Sequence, residues 1–574
     1  MQMFLLKIKN NILFRVAKQR SVYALCFIIP FIVTLYATFQ DSPDRLIKCL
    51  ICTLGFSLLF SANVESWHDI VIPLLCGVMY YLGSAGTFYL YSTSAHASWI
   101  EVQYELFFAE LLAVILISLY RCIGNRFYII TILEFIILLM ASAYMVYYAI
   151  CGISINSDTI FILLQTNQLE AIRFIINEWL SVLGICIIMI FVLYVIGRYN
   201  NKFCKSNKFS ILSLIILSLA VGLNYFVVFR DAHLYLHRDF NIAYGYFCQI
   251  KKMQDNQQKL RSLVTSNNIK NIVLVIGESA NRDYMGVYGY ERNNTPWLSE
   301  ISKDSNTVVF DKVYTSYRLT NKALAYFLTE KNQYNDENLY DAVNLIDIMK
   351  AAGYETYWFS TQGSASNFRE VYNVIAQRSD YTNFKDGAYD EKLVDCIDIP
   401  AKETKKFIVF HLSGSHHPYK HYPPEFNEYG TDTISNNYDN SILYTDYVLK
   451  SIFEKVSQYK PDLFIYTSDH GESKEMTRVK FDYRMSHVPF IIWFSDKCKN
   501  SIPAKYNMAI ARKHTYFTHD MFYETMLDII GMDTSQYDSH KSLLSDDYKF
   551  DKNDLLTDYG SKKIKDDPYD EIVQ

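Results

Sequence analysis

The first 230 residues carry apolar runs too long for the strands or surface helices of a water-soluble domain, and nothing else constrains this chain as strongly. The candidate segments are about 22–40, 46–63, 70–91, 104–121, 127–151, 180–197 and 209–229. Each is long enough to cross a hydrocarbon core of roughly 30 Å as a helix. The third and fourth are the weakest, because Tyr80, Tyr81, Tyr89 and Tyr91 suit a membrane interface as well as a lipid face. The first reads as a span rather than a cleavable signal, since its apolar stretch is long and no small-residue cleavage site follows it.

Charge divides the chain at the same place. Residues 1–230 hold 15 Lys and Arg against 11 Asp and Glu, whereas the remaining 344 hold 40 against 49. Basic residues favour cytoplasmic loops. They gather in "KIKNNILFRVAKQR", "RCIGNR" and "GRYNNKFCKSNK", and Lys and Arg are missing from "STSAHASWIEVQ". An odd number of spans then puts the N-terminus in the cytoplasm and everything after about residue 230 outside it. Of 11 cysteines only Cys248, Cys396 and Cys498 fall in that outer half, too few for a disulfide framework.

The expected organisation is a transmembrane domain over 1–229 with five to seven helices, then an interfacial amphipathic helix and linker over 230–268. A catalytic domain follows over 269–550, and a charged, apolar-poor, mobile tail over 551–574. Within the outer half, "NIVLVIG", "YETYWFS", "KFIVFHLSG", "DLFIYTSDHG" and "VPFIIWFSD" are short apolar runs separated by helix-like stretches. Runs without alternation fit strands covered on both faces. The expected fold class is therefore a multi-span α-helical membrane domain followed by an α/β domain with a mainly parallel sheet.

Function in such sheets collects at the carboxyl ends of the strands. Glu278 stands after the first run, His416 after the third, and Asp469 and His470 after the fourth. A buried strand cannot end on an unpaired carboxylate without a large desolvation cost. Glu278, Asp469 and His470 together offer two oxygens and a nitrogen, a donor set that suits zinc. Taken singly each has an ordinary explanation: a helix cap, an Asx turn, a satisfied core histidine. "GSHHPY" and "RMSHVPF" add His416, with His417 as its competitor, and His487. A hydroxyl near a metal becomes nucleophilic, and Thr320 stands where an N-cap would precede the helix-like "NKALAYFLTEK". Thr315 and Ser316 are its rivals.

Taken with the spans, "GES" after a strand, the threonine at a helix start, "GSHHPYKHYPPEF", "YDNSILYTDYVL", "SDHGES" and the histidine before "VPF" resemble the phosphoethanolamine transferases of Gram-negative inner membranes. That family belongs to the alkaline phosphatase and sulfatase superfamily. It includes enzymes acting on lipid A or the lipopolysaccharide core, and the polymyxin-resistance transferases. The resemblance implies a sulfatase-like periplasmic domain and a zinc shell of Glu278, Thr320, Asp469 and His470, with Thr320 as nucleophile. His416 and His487 would hold a second metal or the phosphoryl group and serve catalysis. The family's periplasmic helix between spans is matched by "ILLQTNQLEAIRF", within about 158–176, which implies donor head-group contacts from Thr166 and Glu170. Ile162 stands where some relatives carry a polar residue, no cysteine flanks Thr320 to form the disulfides that brace the lipid A enzymes, and seven spans exceed the family's usual five.

The function so implied is transfer of phosphoethanolamine from phosphatidylethanolamine to a lipopolysaccharide-type acceptor, through a covalent intermediate on threonine. The expected partners are that lipid, the acceptor and the membrane, with no nucleic acid and a monomeric chain. Phosphoglycerol transfer or sulfate-ester hydrolysis on the same fold is the rival enzyme class, although no "C-x-P-S-R" segment occurs. An inactive membrane sensor is the non-enzyme rival.

Overall fold

The structure is a computed structural model. It describes residues 68–81, 129–151, 179–201 and 235–255, isolated positions between them, and 263–570 apart from 363–369, 386, 401–402, 475–480 and 533–536. The chain divides into two compact units, Met1–Tyr244 and Gly245–Gln574.

In the first unit, helices α1 (His68–Tyr81), α2 (Ile129–Cys151) and α3 (Trp179–Asn201) fall on three of the segments read as spans. They share a small apolar cluster that includes Ile72, Cys76, Leu138 and Ile196. Among the described residues no helix is long and apolar enough to cross a membrane; parts of α2 and α3 lie outside the residues whose side chains are described. The segments 22–40, 46–63 and 209–229, nearly all of 104–121, and the residues Ile162, Thr166 and Glu170 of the expected periplasmic helix also lie outside the described residues.

Helix α4 (Tyr235–Asp255) covers most of the piece expected to be interfacial. In the second unit its last turns bury Ile250 and Met253, and Arg378 Nη2 donates to Met253 O at 2.7 Å. Residues 263–267 then dock along the domain, with Ser266 N donating to Gly531 O at 2.9 Å.

The apolar runs become strands because their Val, Ile, Leu and Phe residues are buried on both faces of a sheet. In chain order the strands are β1 (Asn271–Gly277), β2 (Thr307–Phe310), β3 (Val313–Tyr314), β4 (Tyr354–Ser360), β5 (Tyr381–Phe384), β6 (Lys405–His411), β7 (Leu463–Ser468), β8 (Phe490–Phe494) and β9 (Phe517–Thr518). Among the described residues seven of them form one sheet in the order β2-β8-β7-β1-β6-β4-β5, and β3 pairs with β9 apart from it. The pairs β1–β6, β1–β7, β4–β6 and β4–β5 are parallel, while β8 runs antiparallel to both neighbours. The sheet is thus mainly parallel, as expected, with one reversed strand. Period-2 alternation sends Val273 and Val275 of β1 to one face, where they join a core with Ile408, Phe410, Tyr438, Ile442, Val448 and Leu449. Several of those residues come from the long helix α6 (Ile434–Val456), which covers that face; the shorter α5 (Thr320–Phe327) precedes it in the chain.

Within the tail expected to be mobile, the described residues 551–570 are folded onto the domain. Residues 556–557 and 562–563 pair as an antiparallel hairpin, β10 and β11, and Thr557, Ile564, Asp567 and Asp570 are buried. Part of its charge is taken up inside the domain, where Asp558, Asp567 and Asp570 each find a partner, while Lys562, Lys563, Lys565 and Asp566 stay exposed.

Candidate metal centre

Strands β1 and β7 are parallel neighbours in register, Gly277 opposite Ser468, so the residues that follow them emerge side by side. Glu278 follows one, Asp469 and His470 follow the other, and all three are fully buried. One ligand atom from each lies within 4.8 Å of the others. His470 Nε2 is 3.4 Å from both Glu278 Oε1 and Asp469 Oδ2. The other ring nitrogen, Nδ1, donates to Gly471 O at 2.8 Å, which leaves a lone pair on Nε2 facing the two carboxylates.

That arrangement fits a cation. Asp469 Oδ1 accepts from Ser279 N at 2.9 Å and from its neighbour His470 N at 2.7 Å, while Asp469 Oδ2 is buried with no hydrogen-bond donor. Burial and the nearby Glu278 carboxylate push the Asp469 carboxyl up to about 7. Two carboxylates and an imidazole nitrogen converge in this buried cluster, and a divalent ion relieves the repulsion between the acids.

The backbone around the site is tightly determined. Gly414, at φ +45°, lies so close that a Cβ there would meet Glu278 N at 2.9 Å and Glu278 O at 3.0 Å. Its amide donates to Asp390 Oδ2 at 2.9 Å, and Ser415 N donates to Glu278 O at 2.9 Å. Ser279, at φ 59°, adopts the left-handed region without being glycine. Its carbonyl accepts from Tyr438 OH at 2.7 Å, and that same phenol oxygen accepts from Asn281 N at 2.9 Å. Ser279 Oγ donates to Glu278 Oε1 at 2.5 Å, and Gln362 Nε2 donates to Glu278 Oε2 at 3.2 Å.

Thr320 is brought to this cluster. It is the first residue of α5, whose N-cap is Leu319 and has no side-chain cap. The expectation that Thr320 stands at the cap is corrected accordingly: its hydroxyl donates to Glu278 Oε2 at 2.8 Å and lies 3.5 Å from His470 Nε2. The rivals are placed otherwise. Thr315 Oγ1 donates to the Asp469 carbonyl at 2.7 Å, and Ser316 is fully buried with no partner for its hydroxyl.

The two further histidines are not drawn into the cluster in the same way. His416 is exposed two residues after Gly414, its Nδ1 within 2.8 Å of His417 O. His487 is buried with both ring nitrogens engaged, Nδ1 with Asp283 Oδ2 at 2.5 Å and Nε2 with Asp567 Oδ2 at 2.7 Å. Burial opposes its charge, but Asp283 and the two hydrogen bonds outweigh that and raise its pKa. With no free lone pair, His487 is unsuited to hold a second metal in this geometry. Its loop nevertheless abuts the centre, since a Cβ on Gly471 would meet His487 O at 2.5 Å.

Sequence reasoning passed over Asp283, Gln362, Asp390 and Asp567. It also passed over His519, whose ring Nε2 lies 3.0 Å from Asp469 O and whose pKa burial lowers to about 4. Only Asp283, five residues after Glu278 in a quotable motif, carried a local signal.

Residues 270–532 match the sulfatase family model. Phosphoethanolamine transferase EptC of Escherichia coli (strain K12) is 29% identical over 322 residues, covering 50% of this chain and 55% of that protein. Phosphoethanolamine transferase CptA of Salmonella typhimurium is 28% identical over 315 residues, covering 49% and 54%. The chain thus spans about half the length of the curated relatives it matches. Among solved structures, the C-terminal periplasmic domain of EcEptC from Escherichia coli in complex with Zn matches with a TM-score of 0.50 at 26% identity, covering 55% of this chain and 99% of that one. The integral membrane protein lipooligosaccharide phosphoethanolamine transferase A from Neisseria meningitidis shares the fold, with a TM-score of 0.57 at 18% identity over 82% of this chain and 98% of that one. The resemblance drawn from the motifs is borne out at that level: residues 270–532 match the sulfatase family, and the relatives that the chain matches include phosphoethanolamine transferases.

Proposed function

We propose that this chain is a zinc-dependent phosphoethanolamine transferase anchored in a Gram-negative inner membrane, with its sulfatase-like domain in the periplasm. The observation that carries this reading is the Thr320 hydroxyl, 2.8 Å from Glu278 in a buried cluster of Glu278, Asp469 and His470. Glu278, Asp469, His470 and Thr320 would hold one zinc ion, which when bound lowers the pKa of the threonine hydroxyl and offsets charge on phosphoryl oxygens.

The residues then divide the work. Glu278 orients the hydroxyl, and Thr320 Oγ attacks the phosphorus of phosphatidylethanolamine. The bond from phosphorus to the diacylglycerol oxygen breaks, diacylglycerol leaves with a proton, and phosphoethanolamine remains on Thr320. A hydroxyl or phosphate of a lipopolysaccharide-type acceptor, in the core or on lipid A, takes it in a second displacement and frees the threonine. His416, which is exposed, is assigned the exchange of protons with the leaving and entering oxygens. His487 acts by holding the loop beside the centre.

The membrane anchor is supported by outward-facing apolar stripes. Ile129, Ile132, Leu133, Ile136 and Met140 on α2 are exposed, as are Ile187, Ile190, Phe191, Tyr194 and Val195 on α3. Helix spacing puts each set on one side, as a lipid-facing surface requires. Thr166 and Glu170 are assigned to the donor head group by resemblance.

The test is the full chain in detergent with labelled phosphatidylethanolamine. Thr320→Ala should abolish transfer and covalent labelling of the chain while zinc content and melting temperature persist. Turnover by Thr320→Ala together with loss of turnover in Ser316→Ala would show that the nucleophile is misassigned.

A further inference from the structure

The segment that follows the sulfatase match wraps the loop that carries Thr320. Thr557 Oγ1 donates to Thr315 O at 2.7 Å, and Tyr559 N donates to Ser316 O at 3.0 Å. Arg318 Nη1 donates to Asp558 Oδ1 at 2.6 Å, and Tyr559 OH donates to Lys322 O at 2.7 Å. Thr320 is therefore gripped on both sides, at 315, 316 and 318 before it and at 322 after it. The Tyr559 ring stacks on Tyr326 at 4.3 Å and packs against Tyr317 at 4.5 Å. Farther along, Asp567 Oδ2 accepts from Tyr314 OH at 3.0 Å as well as from His487, and Asp570 Oδ1 accepts from Lys312 Nζ at 2.9 Å.

Two of the gripping residues sit on costly backbone. Asp558 at φ 51° and Tyr559 at φ 55° are left-handed without being glycine, and Gly560 follows at φ 80°. A Cβ disfavours that conformation, which persists where surrounding contacts over-determine it. Glycine would relax the turn, but only side chains can reach Arg318, Lys322 and Tyr326. The loop needs such help: α5 has eight residues and no side-chain cap, and no cysteine lies between Cys248 and Cys396 to cross-link it.

We propose that residues 556–570 are a positioning strap that sets the Thr320 hydroxyl against Glu278, with Asp558 and Tyr559 as its principal positioning residues. This rests on reading Thr320 as the nucleophile. A displacement of about 1 Å at a reacting group can lower turnover by about a hundredfold, and the strap is what opposes such a displacement.

The experiment uses the full chain in detergent and compares Asp558→Asn/Tyr559→Phe, Tyr559→Phe and Tyr559→Ala with the native sequence. Asparagine tolerates the left-handed backbone but weakens the ion pair, while phenylalanine keeps the ring stack and loses one hydrogen bond. The double variant should show kcat reduced about 10- to 100-fold with KM for phosphatidylethanolamine within twofold. Amide hydrogen exchange should speed up at least about tenfold across 315–322 and stay unchanged in β1 and β6. Tyr559→Phe should retain more activity than Tyr559→Ala. Unchanged exchange across 315–322 overturns the strap, as does faster exchange spread equally into β1 and β6, or an effect on KM alone. If the native chain transfers nothing, the reading of Thr320 fails separately, and the exchange measurement still decides whether the strap holds the loop.

Discussion

Replacing Glu278 by glutamine tests the metal centre directly. The native site brings two carboxylates and an imidazole lone pair within 4.8 Å of one another, with Asp469 Oδ2 lacking any donor. Zinc at about a thousandfold over its dissociation constant stabilises the folded state by about 4 kcal/mol. The described part of the second unit spans residues 263–570, and about 300 residues at roughly 2.1 cal/mol/K each make the unfolding entropy about 0.6 kcal/mol/K. The melting temperature of the chelated chain should therefore rise by about 6–7 °C on adding zinc. In Glu278→Gln an anionic donor is lost, and a 10- to 100-fold weaker affinity removes about 1.4–2.7 kcal/mol of that gain, or about 2–4 °C. Without metal the variant should melt within about a degree of the native chain or above it, because the amide removes a like charge beside Asp469. Melting curves of the full chain in detergent, followed by near-ultraviolet circular dichroism with and without chelator, read all four states. An equal zinc-induced rise in both chains, or a metal-free variant several degrees below the native chain, would refute the assignment of Glu278 as a ligand.

Two further outcomes follow from buried hydrogen bonds in the same domain. Tyr438→Phe strands the buried Asn281 N–H and Ser279 carbonyl that its hydroxyl bridges; it should cost about 1–3 kcal/mol and lower the melting temperature by about 2–5 °C, and an unchanged temperature would rule the bridge out. Asp446 accepts from Trp297 N at 2.8 Å and Leu298 N at 2.9 Å, and burial pushes its carboxyl from 3.8 to about 7. The folded state then binds the proton more tightly than the unfolded state, so this contribution is fully present below about pH 3.8 and is lost as pH rises through about 7. Asp446→Asn should remove that decline, at most about 1.4 kcal/mol per pH unit inside the window. Melting temperatures of both chains between pH 4.5 and 7.5 measure it, and a constant difference across that range contradicts the shift.

Much of the second unit was legible locally. Five apolar runs fell on β1, β4, β6, β7 and β8, because strands buried on both faces write themselves as continuous Val, Ile and Phe. Strands β2 and β5 left no such mark: "TVVF" and "YTNF" are four residues each, and β5 is partly exposed at the sheet edge. The reversal of β8 was equally hidden, since strand direction is a property of connections rather than of the residues in the strand.

What the sequence determined by itself was which side chains end those strands: Glu278 after β1, Asp469 and His470 after β7, and a threonine at the start of a helix. Only tertiary structure decided that β1 and β7 are neighbours in register, so that those ends meet. It also turned Thr320 from a cap toward Glu278, enclosed His487 between Asp283 and Asp567, and folded a charged tail into a strap. The physical reason is range. Periodicity and strand ends are set by near neighbours, whereas a hydrogen bond between residues 42 or 80 positions apart exists only once the domain has closed around it.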